Sequence, residues 1–146
     1  MPKYVLDTNI YIDAFRSRDK AEELKQFITK HLPLTYFSAV VMMELRTGAR
    51  TKPQAETLQE EVFAPFAKRR RVFGPSTNAF HETGRILAAL AKENLFDLRA
   101  PNHSLIRDAL VAASCREQGF VLITNDKDYQ AIKRHLKVFR YVTPWP

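Results

Sequence analysis

One pattern, used twice, constrains this chain more than any other. In Lys3-Tyr4-Val5-Leu6-Asp7-Thr8-Asn9, strand-favouring residues run directly into a carboxylate and two small polar residues, and Phe120-Val121-Leu122-Ile123-Thr124-Asn125-Asp126 repeats the arrangement near the other terminus. Short apolar runs without alternation are what strands buried on both faces look like, and such strands belong to parallel sheets covered by helices. If the two strands lie side by side and parallel, Asp7 and Asp126 meet at one sheet edge. In open α/β sheets that edge, beyond the carboxyl ends of the strands where their order reverses, is where ligands bind.

The chain between these strands alternates in the same way. Residues 10–15 read as a short helix with Asp7 or Thr8 placed to cap it, so Asp7 is open to two readings, helix cap or metal ligand. Asp19-Lys20-Ala21-Glu22 has the spacing of a capping box, and Ala21, Leu24, Phe27, Ile28 and His31 carry a helical stripe to Pro33. Leu34-Thr35-Tyr36-Phe37 is a second strand, followed by Ser38 as cap and a helix through Val40, Val41, Glu44, Leu45 and Gly48. Glu44 lies on the apolar stripe of that helix, and a half-buried carboxylate must be neutralised, paired or bound to a cation.

Leu58, Val62, Phe63 and Phe66 mark a further helix. Lys68, Arg69, Arg70 and Arg71 then lead into a third strand at Val72-Phe73; this basic run is either a solvated turn or a contact for a phosphate backbone. Ser76 or Thr77 caps a long helix with an expected stripe of Phe80, Gly84, Leu87, Ala88 and Ala91, in which Gly84 would permit close approach to the sheet. Over residues 103–116, Leu105, Asp108, Ala112 and Cys115 share a stripe flanked by Ala109 and Ala113. Asp108 is thus a carboxylate among small apolar residues, suited to a site or to the helix dipole. Gly119 ends the helix, the second aspartate-bearing strand follows, and a helix through Tyr129, Ile132 and Lys133 leads to a last strand over 138–142. Trp145 is expected to pack on the body or on a partner.

Five strands alternating with helices predict a single α/β domain over residues 1–146: an α/β/α sandwich with a five-stranded parallel sheet. With right-handed crossovers, an order of 3-2-1-4-5 puts the first and fourth strands adjacent at the reversal. The length of 146 residues suits one domain. A formal charge of +7 favours polyanionic partners, nucleic acid first, unless it is a surplus for solubility alone. The single cysteine, Cys115, excludes an internal disulfide and any multi-cysteine metal site. The apolar run after Lys3 is too short for a signal peptide, and no run approaches membrane-spanning length, so the expectation is a soluble cytoplasmic protein.

Asp7 and Asp126 from strand ends, and Glu44 and Asp108 from helix faces, therefore compete for one place. Gathered without a counter-ion they would repel and their pKa values would rise. Hard divalent cations remove the conflict, and oxygen ligation without Cys or His selects Mg2+, with Mn2+ as a substitute, over zinc.

These residues resemble a known family. Leu6-Asp7-Thr8-Asn9, the stretch from Ser38 to Gly48 with Glu44-Leu45, Asp108-Ala109-Leu110 with its Ala-rich continuation, and Thr124-Asn125-Asp126-Lys127-Asp128-Tyr129 look like the successive motifs of PIN-domain ribonucleases, particularly the VapC toxins of toxin-antitoxin pairs. The resemblance implies that Asp7, Glu44, Asp108 and Asp126 are metal-binding catalytic acids and that Asn9, Ser38, Thr124 and Asp128 support them. It implies magnesium-dependent RNA cleavage, a homodimer, and a small antitoxin that covers the active site. Two positions depart from the family pattern: Asn125 stands where a basic residue is frequent, and Tyr129 where Phe is usual. A noncatalytic RNA-binding or partner-binding module on the same fold, or a housekeeping RNA-processing nuclease, is the alternative. A phosphoacceptor receiver domain is disfavoured, because it needs an acidic pair after the first strand and an aspartate after the third, where this chain has Asp7-Thr8-Asn9 and Gly74-Pro75.

Overall fold

A computed structural model describes residues 1–146. In chain order the elements are β1 (Tyr4–Leu6), α1 (Thr8–Arg16), α2 (Arg18–His31), β2 (Thr35–Ser38), α3 (Ala39–Gly48), α4 (Lys52–Thr57), α5 (Ala64–Ala67), β3 (Val72–Phe73), α6 (Thr77–Lys92), α7 (His103–Gln118), β4 (Val121–Ile123), α8 (Tyr129–Arg134) and β5 (Arg140–Val142). A π-helical segment, Leu58–Phe63, joins α4 to α5.

All strand pairs are parallel and the order is β3-β2-β1-β4-β5, as the alternation of the sequence predicts. With right-handed crossovers, the helices between β1 and β3 cover one face and those between β3 and β5 the other. The central strands are therefore walled on both sides, and Val5, Leu6, Leu122 and Ile123 are buried. Register decides what leaves the sheet together: Leu6 pairs with Ile123, so Asp7 and Thr124 emerge side by side.

Four details differ from the sequence-based expectation. Helix α2 starts from Ser17 rather than from a box at Asp19: the Ser17 backbone N–H closes α1 on Asp13 O, and its hydroxyl accepts the Lys20 N–H at 3.4 Å. One extended residue thus serves both helices, and Asp19 is left in the first turn to favour the dipole. Helix α6 buries Ala79, Thr83, Ile86 and Leu90, not the stripe through Phe80 and Gly84. Phe80 is exposed, and a Cβ built on Gly84 meets nothing within 4 Å, so this glycine serves no close approach. The apolar Phe80 draws the expected stripe one residue away from the true inner face, which runs through Ala79, Thr83, Ile86 and Leu90. The last strand begins only at Arg140, since Val138 takes a positive φ of 70° that interrupts extended backbone.

Trp145 packs back onto the body, its ring stacked on Phe27 at 4.8 Å. No helix is long and apolar enough to cross a membrane.

Helix α7 ends at Gly119, whose φ of 74° lies in the left-handed region. A Cβ there would meet no neighbour within 4 Å, so Gly119→Ala carries a backbone cost alone. We expect a loss of about 1 kcal/mol, read as a lower urea midpoint at unchanged slope.

Candidate active site

Asp7 sits where β1 becomes α1, buried, with its backbone N–H bonded to Ile123 O at 2.9 Å. Its Oδ1 accepts the Thr8 N–H at 2.9 Å, and its Oδ2 accepts the Thr124 hydroxyl at 2.7 Å and the Asn9 side-chain amide at 3.3 Å. Cap and site are the same residue: Asp7 closes the first turn of α1 with one oxygen and faces the neighbouring strand with the other. Thr124 is the hub, since its oxygen also accepts from Asn9 Nδ2 at 3.1 Å and from the Asp126 N–H at 3.0 Å. Asn9 Oδ1 in turn accepts the Asn125 N–H, which ties the loop after β4 to α1.

The other acids come from three directions. Glu44 lies on α3, and its Oε1 accepts the Thr8 hydroxyl at 3.0 Å, so Thr8 links it to Asp7. Asp108, on the packed face of α7, is buried and accepts the Tyr129 hydroxyl at 3.3 Å on Oδ1, while its Oδ2 is buried without a partner. Asp126 and Asp128 follow β4; carboxylate oxygens of Asp108, Asp126 and Asp128 lie within 4.8 Å of one another, and the Asp128 N–H donates to Asp126.

Electrostatics follow from this crowding. Burial pushes the Asp7 carboxyl up to about 6, against the bonds from Thr124 and Thr8 that lower it, with Glu44 adding repulsion. Asp108 is pushed up to about 8, first by burial and then by the charges of Asp7 and Asp126. Asp128 is raised by burial and by Asp126.

The donor set fits a hard divalent cation. It consists of carboxylate oxygens, one of them buried and unpaired, with no sulfur or imidazole among them. A buried acceptor surrounded by like charge lacks the positive partner that an ion would provide.

The structure thus brings Asp108, Asp126 and Asp128 within 4.8 Å of one another, while Asp7 and Glu44 join the same edge through bonds from Thr124, Asn9 and Thr8. Ser38 is used differently: its hydroxyl accepts the N–H groups of Val40 and Val41 and caps α3. The basic run at 68–71 is not brought to the acids. It enters β3 from its amino end, Arg69 donates to Pro65 O, and Arg71 donates to Leu32 O ahead of β2.

Three side chains at the site escaped the sequence reading. Thr8 bridges two acids. Tyr129 places a buried hydroxyl on Asp108, and its departure from the family's usual Phe was the available signal. Arg107 puts its Nε 3.1 Å from Glu44 Oε2; its place immediately before Asp108 marked it as a neighbour of the site.

Beside Glu44 a groove of about 670 Å³ runs between α1, α3 and the helix from α4 into the π-helical segment, with Phe15, Leu45, Leu58 and Val62 among its lining residues.

A parallel sheet ordered 3-2-1-4-5 with an acid cluster at its switch point defines a class, and a family model described as PIN domain matches residues 4–135. The chain belongs to the PIN domain family. Among solved structures it is similar to DNA-bound VapBC from Salmonella typhimurium, at 25% sequence identity over 98% of each chain with a TM-score of 0.72. It is similar in fold to FitAcB from Neisseria gonorrhoeae, at 20% identity over 97% of this chain and 98% of that one, TM-score 0.68. VapBC-1 from nontypeable Haemophilus influenzae gives 23% identity over 96% of each chain and a TM-score of 0.65. No curated protein sequence matches the chain.

Two outcomes follow for the metal-free protein. Asp7 and Asp108 both titrate above their ordinary value of 3.8 when folded, so the folded state holds extra protons between that value and about 6 and 8 respectively. Their contribution is fully present below pH 4 and is lost as pH rises through the folded values. With chelator present, the melting temperature should fall from pH 5.5 to pH 8.5. Replacing Asp108 with Asn removes a charge at nearly constant shape. It should flatten that slope and hold or raise stability by up to about 1 to 2 kcal/mol at pH 8, while shrinking the melting shift produced by Mg2+. A lower metal-free melting temperature with an unchanged Mg2+ shift would give Asp108 a structural role instead.

Proposed function

We propose that this protein is a metal-dependent endoribonuclease acting as the toxin of a toxin-antitoxin pair. The observation that carries the reading is the buried, unpartnered Asp108 Oδ2 among converging carboxylates, an arrangement that costs stability unless a cation answers it. Asp7, Glu44, Asp108 and Asp126 would hold Mg2+ or Mn2+, with Asp128 at the rim. A bound divalent ion supplies a water activated at neutral pH and charge stabilisation for phosphodiester hydrolysis. The chain's own groups orient the acids: Thr124 and Asn9 fix Asp7, Thr8 fixes Glu44, and Tyr129 steadies Asp108.

RNA as substrate rests on the family resemblance and on the excess of basic residues. The antitoxin partner is supported by structural neighbours described as toxin-antitoxin complexes and by the groove that opens beside Glu44, which a small protein could enter while covering the acids. A homodimer is part of the same proposal. A short DNA-binding protein encoded next to this chain would fit the pair; an isolated gene would favour a housekeeping RNA-processing nuclease.

Purified protein should cleave RNA with Mg2+ or Mn2+ and stop in excess chelator. Asp126→Asn should lower the rate roughly a hundredfold or more, the scale on which removing a transition-state stabiliser acts. Undiminished cleavage in chelator would overturn the metal mechanism, and RNA binding without cleavage under any metal would make the protein a noncatalytic module.

A further inference from the structure

Several arginines of this chain are committed to partners within it. Arg85 holds Glu82 with two nitrogens at 2.9 and 2.8 Å, Arg46 donates to Ala49 O, Arg71 to Leu32 O, and Arg116 to Lys137 O. Arg107 differs. Its Nε lies 3.1 Å from Glu44 Oε2 but out of line, so this buried N–H is without an acceptor, and the rest of the guanidinium makes no hydrogen bond within the chain. The side chain is 35% exposed, which leaves its outer edge in solvent at the rim of the acid cluster.

We propose that Arg107 is a substrate-binding residue that grips a phosphate of the nucleic acid strand beside the reacting carboxylates. The inference rests on the nuclease reading of the same site and names what admits the substrate to it. Five acids crowd this edge, and they repel a phosphodiester backbone even when a divalent cation offsets part of their charge. A guanidinium offers the planar pair of donors that a phosphate accepts bidentately. Arg107 is held at the entrance by Coulomb attraction to Glu44 alone, an attachment that fixes its place without using its donors. The neighbouring position on α7 is Asp108, so one helical turn delivers both a site acid and the cation that receives the substrate. The basic run at 68–71 lies at the amino end of β3, away from the acids, with Arg69 and Arg71 on carbonyls ahead of β3 and β2.

The test separates substrate contact from support of Glu44. In an Asp126→Asn background, chosen so that bound RNA survives, a fluorescein-labelled single-stranded RNA oligonucleotide is titrated by anisotropy with Mg2+ present across a range of KCl. Arg107→Gln should weaken binding roughly tenfold to a hundredfold at low salt. It should also flatten the plot of log affinity against log salt by about 0.7, the value of one phosphate contact on a single strand. Arg107→Lys should recover the slope and only part of the affinity, because an ammonium keeps the charge without the fork. The melting shift caused by Mg2+ should be the same with Arg107 and with Arg107→Gln in the otherwise unchanged chain. Unchanged RNA affinity and salt slope in Arg107→Gln would overturn the proposal, as would loss of the Mg2+ shift, which would show that Arg107 acts through Glu44. Absence of RNA binding with Arg107 intact would overturn it too. Failure of the parent chain to cleave RNA with Mg2+ is scored separately and counts against the nuclease reading, since the affinity and slope comparisons do not require turnover.

Discussion

The parallel register between β1 and β4 is the constraint on which the rest of the site depends. Leu6 opposite Ile123 puts Asp7 next to Thr124, and bonds from Asn9 and from the Asp126 N–H join that pair. A slip of one residue would turn Asp7 toward the other face of the sheet and carry Val5 and Leu6 out of their layers. Burial of those side chains on both faces therefore holds the register, and through it the distance between an acid and its orienting hydroxyl. The connection runs from apolar burial to the placement of charge.

The acids are not equivalent within that frame. Asp7 spends both oxygens on donors from Thr8, Thr124 and Asn9, which offset part of the cost of its burial. Asp108 has one long bond from Tyr129 and one oxygen with no partner, and its carboxyl is pushed up further than that of Asp7. The least satisfied carboxylate is thus the one carried on a rigid, sixteen-residue helix whose other contacts are strong enough to keep it there. Val111, Ala112 and Cys115 on the same helix are fully buried, and they supply the packing that lets a poorly solvated acid stay in place.

Positive charge is distributed by the same logic of placement. The chain carries seven more basic than acidic residues, yet its densest basic run enters β3 from the amino end, where Arg69 and Arg71 are tied to carbonyls. Arg107 stands instead at the acids, linked to Glu44 by charge without hydrogen bonding. Net charge therefore describes attraction at long range, while the guanidinium beside the cluster decides what happens at contact.

The order of strands and the caps at Asp7, Ser38 and Gly119 were legible in the sequence, which also offered Asp7, Glu44, Asp108 and Asp126 as candidates for one place. The caps and the candidate acids follow from local rules, apolar runs of strand length and helical spacing, while the adjacency of β1 and β4 belongs to the doubly wound order expected of alternating strands and helices. The phase of α6 was not legible, because Phe80 outweighs Ala79 and Thr83 in any hydrophobic pattern, although Ala79 and Thr83 are the residues that are buried. Nor was the start of the last strand, where a β-branched residue, Val138, adopts a left-handed φ that its own preference opposes. The roles of Thr8, Tyr129 and Arg107 were decided by tertiary structure alone. A hydroxyl or guanidinium acquires its partner across the sheet edge or between helices, from residues 36, 21 and 63 positions away, and no local periodicity encodes which atoms meet there.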